Sequence, residues 1–395
     1  MRYALIIAGG AGTRLWPMSR AGLPKQLIPF LGGKSLLQIA FERLEGLIPS
    51  DHRYICAGQK HAQAILDALP SMQPEQFLGE PTGRDTLNAV GLGAAVLAQK
   101  DPDAVIAVLT ADHIIEPIDD FCRILEQGYR CVEKSPNTLL TFGIAPIGPA
   151  TAYGYLELGE PMELDGNAQT NAEVNNVRWV SQFREKPPLP TAESYFQAGP
   201  ERYLWNSGMF VWRASTLLNC IRRYQPSVFA GLQTIAKAWE SPRRNEVLAE
   251  VYPTLKKISV DFAIMEPVTH EKRDEKRAGD ANLGKDTGED VSSVRVAAIP
   301  MPLRWLDVGS WPSYAQTCPH DEQGNALAAP LHQLYDSTDC LVASSEPGHL
   351  ITTIGCHGLV VIHTKDATLV CPADQAEQIK ELHKRLTVQF GDHYE

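Results

Sequence analysis

The stretch from residue 6 to 27, IIAGGAGTRLWPMSRAGLPKQL, gathers residue types that handle phosphate. Gly9, Gly10 and Gly12 have no side chains, which lets backbone N–H groups approach a phosphate chain. Thr13, Arg14 and Lys25 stand beside them. Arg presents a planar fork to phosphate oxygens and Lys a compact point charge, a set suited to a triphosphate whose pyrophosphate leaves. Two familiar phosphate motifs are excluded. The dinucleotide fingerprint needs a third small residue where Leu15 stands, and CAGQK, after the second expected strand, lacks the ribose-binding acid. GGKS (32–35) resembles the end of a Walker A motif, but Ile28 occupies the position of its first glycine and no strand immediately precedes it. A second stretch is TADH (110–113), where Asp112 ends an apolar strand, the place where ligands of parallel sheets lie.

These residues need a scaffold. Tyr3 to Ala8 reads as a buried strand, and Ser35 with Gln38 forms a capping-box pattern opening a helix. The alternation continues through RYICA (53–57), helices over about 60–69 and 85–99, and the strand AVIAVLT (104–110). Strands alternating with helices predict an α/β, Rossmann-like fold with a mostly parallel sheet, whose ligands lie at the strands' carboxyl ends. The glycine loop and Asp112 fall at such ends. From about 138 to 299 the pattern is more mixed, with strands near 138–145, 153–158, 177–184 and 207–213, and this half is expected to hold a second ligand. His270 to Asp290 carries twelve charged residues in twenty-one, so 268–293 is expected to be a charged, mobile insertion. Beyond residue 328 come CLVASS, HLITTIG, LVVIHT and ATLVCP, then an amphipathic helix over about 374–386. The expectation is a large domain over 1–328 and a small β-rich domain over 329–395, with stacked strands or a piece of β-helix.

Composition bounds the partners. With 395 residues the chain exceeds one ordinary hydrophobic core, and 44% apolar with 21% charged residues is a globular balance. The net charge of −11 disfavours nucleic acid and anionic membranes, so an anionic ligand needs a local cationic pocket. Eight scattered cysteines without a CxxC pair read as reduced thiols. The apolar run near Met1 is too short for a signal-peptide core or a membrane span. A cytoplasmic protein is expected.

GGAGTRLWPMSRAGLPKQL resembles the GGxGTRLxP…PK signature of the sugar nucleotidyltransferases, and Trp16 and Gln26 favour the mannose-1-phosphate guanylyltransferase branch. The resemblance implies a nucleotidyltransferase core that joins GTP and mannose 1-phosphate into GDP-mannose with Mg²⁺. EPTGRDT (80–86) is similar to the segment lying against the base, which implies base-side roles for Glu80, Pro81, Arg84, Asp85 and Thr86. Asp85 stands where Asn is usual, and LNA where APA is. WLDVGSW (305–311) looks like the motif of the second metal acid, Asp307, which would share the ion with Asp112. TAYGYLELG, FREKP, WNSGMFVW and SVDFAIMEP resemble sugar-side segments, implying Gly154 close to the hexose, Glu185, Asn206 and Asp261 on its hydroxyls and Lys186 on its phosphate. The family usually runs more directly from ME to the second metal motif than this chain does across 268–293. Arg14, Lys25, Lys186, Asp112 and Asp307 are the expected catalytic set. Another hexose 1-phosphate, another nucleotide, or a non-catalytic GDP-mannose sensor are the alternatives, and the apolar C-terminal strands are candidates for a homodimer contact.

Overall fold

Both faces of a central parallel strand are covered by helices, so its residues are apolar without alternation. The run after Met1 behaves this way: it forms the strand Arg2–Ile7, with Tyr3 to Ile6 buried. In the computed structural model, which describes residues 1–10, 12–31, 33–163, 176–271 and 294–394, this strand pairs in parallel with Arg53–Gly58 and with Val105–Thr110. Phe77–Glu80 extends the parallel set beyond Arg53–Gly58. The glycine loop, Glu80 and Asp112 therefore leave neighbouring strands at the same edge.

The sheet continues through Tyr203–Arg213, Thr138–Ile144, Arg295–Pro300, Arg178–Arg184 and Tyr155–Pro161, nine strands among the described residues. Followed ladder by ladder, Tyr203–Arg213 and Arg178–Arg184 run against the other seven. The last strand also pairs with Tyr203 to Trp205, so this half of the sheet curls back on itself. The curl brings Tyr155 opposite both Trp205 and Arg184, which sets the sugar-side segments side by side.

Helix Thr86–Lys100 is buried from Leu87 to Leu97 between the sheet and helices Ala214–Tyr224 and Pro226–Ala238. Helix Ile118–Lys134 covers the other face with Phe121, Leu125, Tyr129 and Val132, which recur at helical spacing. The capping box forms as expected: Ser35 Oγ accepts from Gln38 N and Gln38 Oε1 from Ser35 N. The serine of GGKS is thus the N-cap of a helix, Leu36–Glu42. A two-stranded antiparallel ribbon, His113–Glu116 with Arg304–Asp307, sets Asp307 opposite His113.

The C-terminal strands coil in parallel. Leu331 lies opposite Leu350 and Leu341 opposite Val360, a register of 19 residues per turn, which is the stacking of a β-helix. Ala326–Ala328 pairs with Leu341–Ser344, so the C-terminal sheet begins three residues before the expected boundary. Helix Ile379–Phe390 closes the unit. The charged segment expected from 268 starts later: helix continues to Glu271, with Val268 and Thr269 buried because they face the core. Its remainder, 272–293, lies outside the described residues.

Candidate active site

The signature loop is shaped around Lys25. Gly12 has a φ of 63°, and a Cβ there would lie 2.6 Å from Lys25 Cβ, so a side chain at 12 is excluded by both conformation and space. Lys25 reaches Asp112, with Nζ 2.5 Å from Oδ2. Gly9 and Gly10 are exposed, and Thr13 opens the short 3₁₀ turn Thr13–Leu15 that carries Arg14. Arg14 Nη1 lies 3.3 Å from Glu377 Oε1 of the C-terminal unit.

Asp112 and Asp307, distant in sequence, meet through the antiparallel ribbon. Val308 N donates to Asp112 O at 3.1 Å, and ligand atoms of Asp112, His113 and Asp307 lie within 4.8 Å of one another. Burial favours a neutral Asp112, but the Lys25 ammonium and the His113 ring outweigh it and hold its pKa below the usual value. Burial lowers the pKa of His113, with the Asp112 and Asp307 carboxylates opposing. Trp305 Nε1 donates to His113 Nδ1 at 3.2 Å. The neutral ring therefore carries its proton on Nε2, which faces Asp112 Oδ1 at 3.9 Å as a donor. A cation here is left to the two carboxylates, hard oxygen donors of the kind Mg²⁺ prefers.

On the base side, Tyr252 Oη donates to Glu80 Oε1 at 2.6 Å, both groups being buried. Burial raises the pKa of Glu80, and the Tyr252 hydroxyl and an Arg84 backbone bond only partly offset this. Pro81 is exposed just beyond the strand. Arg84 donates to the carbonyl of Pro253, and Thr86 Oγ1 accepts from Val260 N at 3.0 Å. These two expected ligand residues act as struts between the base segment and residues 252–260. Asp85 caps Thr86 N at 2.8 Å while holding a φ of 66° and ψ of 174°, a region essentially reserved for glycine.

The segments that carry Gly154, Glu185, Asn206 and Asp261 come together. Glu185 Oε1 lies 2.9 Å from Lys186 Nζ, and Asn206 Nδ2 donates to Asp261 Oδ1 at 3.0 Å. Thr141 Oγ1 donates to Asn206 Oδ1 at 2.7 Å, fixing which amide atom faces Asp261. Burial, reinforced by the Glu185 carboxylate, pushes Asp261 up to about 7. Burial opposes the charge of Lys186, but Glu185, Asp261 and Asp85 more than compensate and its pKa rises. Lys186 also takes a left-handed φ of 44°. A Cβ on Gly154 would lie 2.5 Å from Glu185 Oε2, so only glycine leaves that carboxylate in place. Glu266 and Thr269 accept from Glu185 N and Phe183 N, holding the end of this strand.

The two ends share one wall. Tyr153 lies 5.5 Å from Trp305 and 5.0 Å from Trp205, ring to ring, and it senses both the Asp307 and Arg14 charges. A single apolar cluster backs the phosphate end: Leu15 and Trp16 of the signature, Ile114 and Val308 of the metal segments, Trp311, and Leu341, Ile362 and Ile379 of the C-terminal unit. Trp16 Nε1 and Arg20 Nη1 both donate to Tyr394 O, at 2.9 and 3.0 Å.

Sequence reasoning misses His113, Trp305, Tyr252, Glu266 and Glu377. His113, Trp305 and Glu266 lie inside quoted motifs and could have been taken from them. Nothing local marks Tyr252 or Glu377.

The family described as Nucleotidyl transferase matches residues 3–324, and the MannoseP isomerase/GMP-like beta-helix domain matches residues 333–386. Xanthan biosynthesis protein XanB of Xanthomonas campestris pv. campestris (strain B100) is 32% identical over 384 residues, 96% of this chain and 72% of that protein. Mannose-1-phosphate guanylyltransferase of Escherichia coli (strain K12) is 32% identical over 391 residues, 97% of this chain and 73% of that one. Among solved structures, mannose-1-phosphate geranyltransferase from Thermus thermophilus aligns with a TM-score of 0.77 at 31% identity, covering 98% of this chain and 99% of that one.

Proposed function

The chain belongs to the nucleotidyl transferase family, and from that premise we propose that it joins GTP and mannose 1-phosphate into GDP-mannose and pyrophosphate. A phosphate oxygen of the sugar attacks the α-phosphorus of GTP. The new P–O bond forms as the bond from that phosphorus to the β-phosphate bridge breaks, and pyrophosphate carries the electron pair away. The attacking oxygen is already anionic, so no side-chain nucleophile is needed. The difficulty is to bring two anions together and to stabilise the charge on the leaving group.

Arg14 and Lys25 serve the triphosphate. Lys25 gives up its contact with Asp112 as phosphate oxygens arrive, which leaves that carboxylate free. Lys186 holds the incoming sugar phosphate, while Glu185, Asn206 and Asp261 orient hexose hydroxyls. Asp112 and Asp307 are the residues that would hold Mg²⁺, whose charge offsets that of the phosphates. Glu80, steadied by Tyr252, offers its second carboxylate oxygen to the donor edge of guanine. The observation that carries the reading is the convergence of Asp112, Asp307 and Lys25 beside the signature loop.

Eight free cysteines fit a cytoplasmic protein, and among the described residues no helix is long and apolar enough to cross a membrane. Leu331, Tyr335, Leu350 and Ile354 stand exposed on one face of paired parallel strands and are the surface for a homodimer. Pyrophosphate release from the purified protein, with each nucleoside triphosphate against a set of sugar 1-phosphates, tests the function. Turnover is expected with GTP and mannose 1-phosphate. Release with no pair of substrates, or only with another nucleotide, would overturn it.

A further inference from the structure

Arg43 caps the end of helix Leu36–Glu42 and turns inward until it is only 4% exposed. A buried guanidinium ordinarily ends on a carboxylate. Here both terminal nitrogens go to main chain: Nη1 donates to His113 O at 2.9 Å and Nη2 to Thr110 O at 3.2 Å. Those two carbonyls bracket Asp112.

The turn they belong to is where the strand Val105–Thr110 stops and the ribbon His113–Glu116 starts. Carbonyls at such a junction lose their ladder partners and need others when buried. The planar fork presents a separate nitrogen to each at a fixed spacing, which the single ammonium of a lysine does not. The surroundings hold the fork in turn. The Phe121 ring lies 5.1 Å from the guanidinium carbon, and the Cys122 thiol donates to Arg43 O at 3.2 Å. Burial pulls the Arg43 pKa down to about 10, with the Asp112 carboxylate opposing, so the group stays charged at neutral pH and senses that acid.

A buried cation is costly, and a well-packed apolar side chain in the same space is often no less stable. Filling space therefore does not account for an arginine here. We propose that Arg43 is a positioning residue for the reaction: its fork fixes the Thr110–His113 turn so that Asp112 faces Asp307, and it touches no substrate. The proposal rests on the two-carboxylate reading of the cleft.

Arg43→Met removes the fork and roughly keeps the volume, while Arg43→Lys retains a cation able to reach one carbonyl. In a folded Arg43→Met protein, the Mg²⁺ concentration for half-maximal rate should rise, and kcat fall, by about 10- to 100-fold, as when other supports of metal ligands are removed. The KM for mannose 1-phosphate should stay within about twofold, because the sugar end is untouched. Arg43→Lys should fall between the two. Amide hydrogen exchange should quicken over residues 109–115 and hold steady over 203–209. Arg43 also lines a cavity of about 620 Å³ with Ile39, Ile118 and Cys122, and added guanidinium should restore part of the rate of Arg43→Ala.

An unchanged Mg²⁺ dependence in folded Arg43→Met would overturn the proposal. So would equal losses toward metal, GTP and sugar without rescue by guanidinium, since general softening would suffice. If Arg43→Met fails to fold, the Mg²⁺ dependence of Arg43→Lys decides in the same way. A native protein that turns over without any divalent cation would instead sink the two-carboxylate reading, and Arg43's role with it.

Discussion

The phosphate end and the sugar end of the cleft treat the same residue type in opposite ways. Asp112 sits against Lys25 and its pKa is held down, whereas Asp261 sits near Glu185 and is pushed up to about 7. Both lie in desolvated surroundings, so burial alone does not separate them; the sign of the neighbouring charge that acts most strongly does. An acid kept ionised beside a second acid suits a cation. A crowded acid that retains its proton near neutrality, and hydrogen-bonds to an amide, suits sugar hydroxyls. The two ends are thus specialised by neighbours, and each can be disabled without the other.

The largest effect should come from Asp112→Asn. Losing one carboxylate at the charge-bearing centre should lower kcat by about 10²- to 10³-fold, as loss of a preorganised electrostatic partner typically does. The melting temperature should move little, because a strand-end carboxylate contributes little to the core. A normal rate at saturating Mg²⁺ would show that Asp112 has no part in holding the ion.

Next in size is Lys186→Ala. A charge-assisted bond to the sugar phosphate is worth about 1.5–3 kcal/mol, so KM for mannose 1-phosphate should rise roughly 10- to 100-fold. The KM for GTP should barely change. Equal shifts in both would erase the distinction between the ends.

Asp261→Asn sharpens the contrast through pH. The folded pKa of about 7 lies above the ordinary value of 3.8, so the folded chain keeps a proton that the unfolded chain sheds between those values. Stability therefore falls as pH rises through that window, and the penalty is complete above about pH 7. Asn carries no such penalty. The variant should melt a few degrees above the native protein at pH 8 and lose that advantage toward pH 4, a size typical of a modest change in stability. A pH-independent difference would contradict the assigned cause.

The smallest effect belongs to Glu377→Gln. Its contact with Arg14 is exposed, and exposed ion pairs contribute little. The KM for GTP should change by less than about twofold, since Arg14 is held for phosphate by its own loop. A large change would make the C-terminal unit a direct part of the nucleotide site.

Much of the phosphate end was legible because its chemistry is local. Gly12, Arg14 and Lys25 lie within one loop, and the strand before them shows a plain apolar run. The four strands of the parallel half follow the same logic, except Phe77–Glu80, which is too short to show a pattern. Helix Ile118–Lys134 carries a readable helical pattern that a motif-led reading passes over. The ribbon joining Asp307 to His113 pairs strands about 190 residues apart, and motif resemblance pointed only to Asp112 and Asp307 sharing an ion. Periodicity says nothing of such a pairing. Nor does anything near Asp261 announce Glu185, whose charge helps shift it, or near Glu80 announce Tyr252. The charged composition after 268 also misled at its start, because Val268 and Thr269 face the core while the charges around them do not.

If Asp112 and Asp307 share one cation, it meets the nucleotide and the sugar phosphate in a single cleft. Crystals grown with Mn²⁺ and GDP-mannose, measured at the manganese absorption edge, test it directly. An anomalous peak within coordination distance of both carboxylates and of a ligand phosphate oxygen is the expected result. A peak elsewhere, or either acid turned away from the bound ligand, would rule out a shared cation.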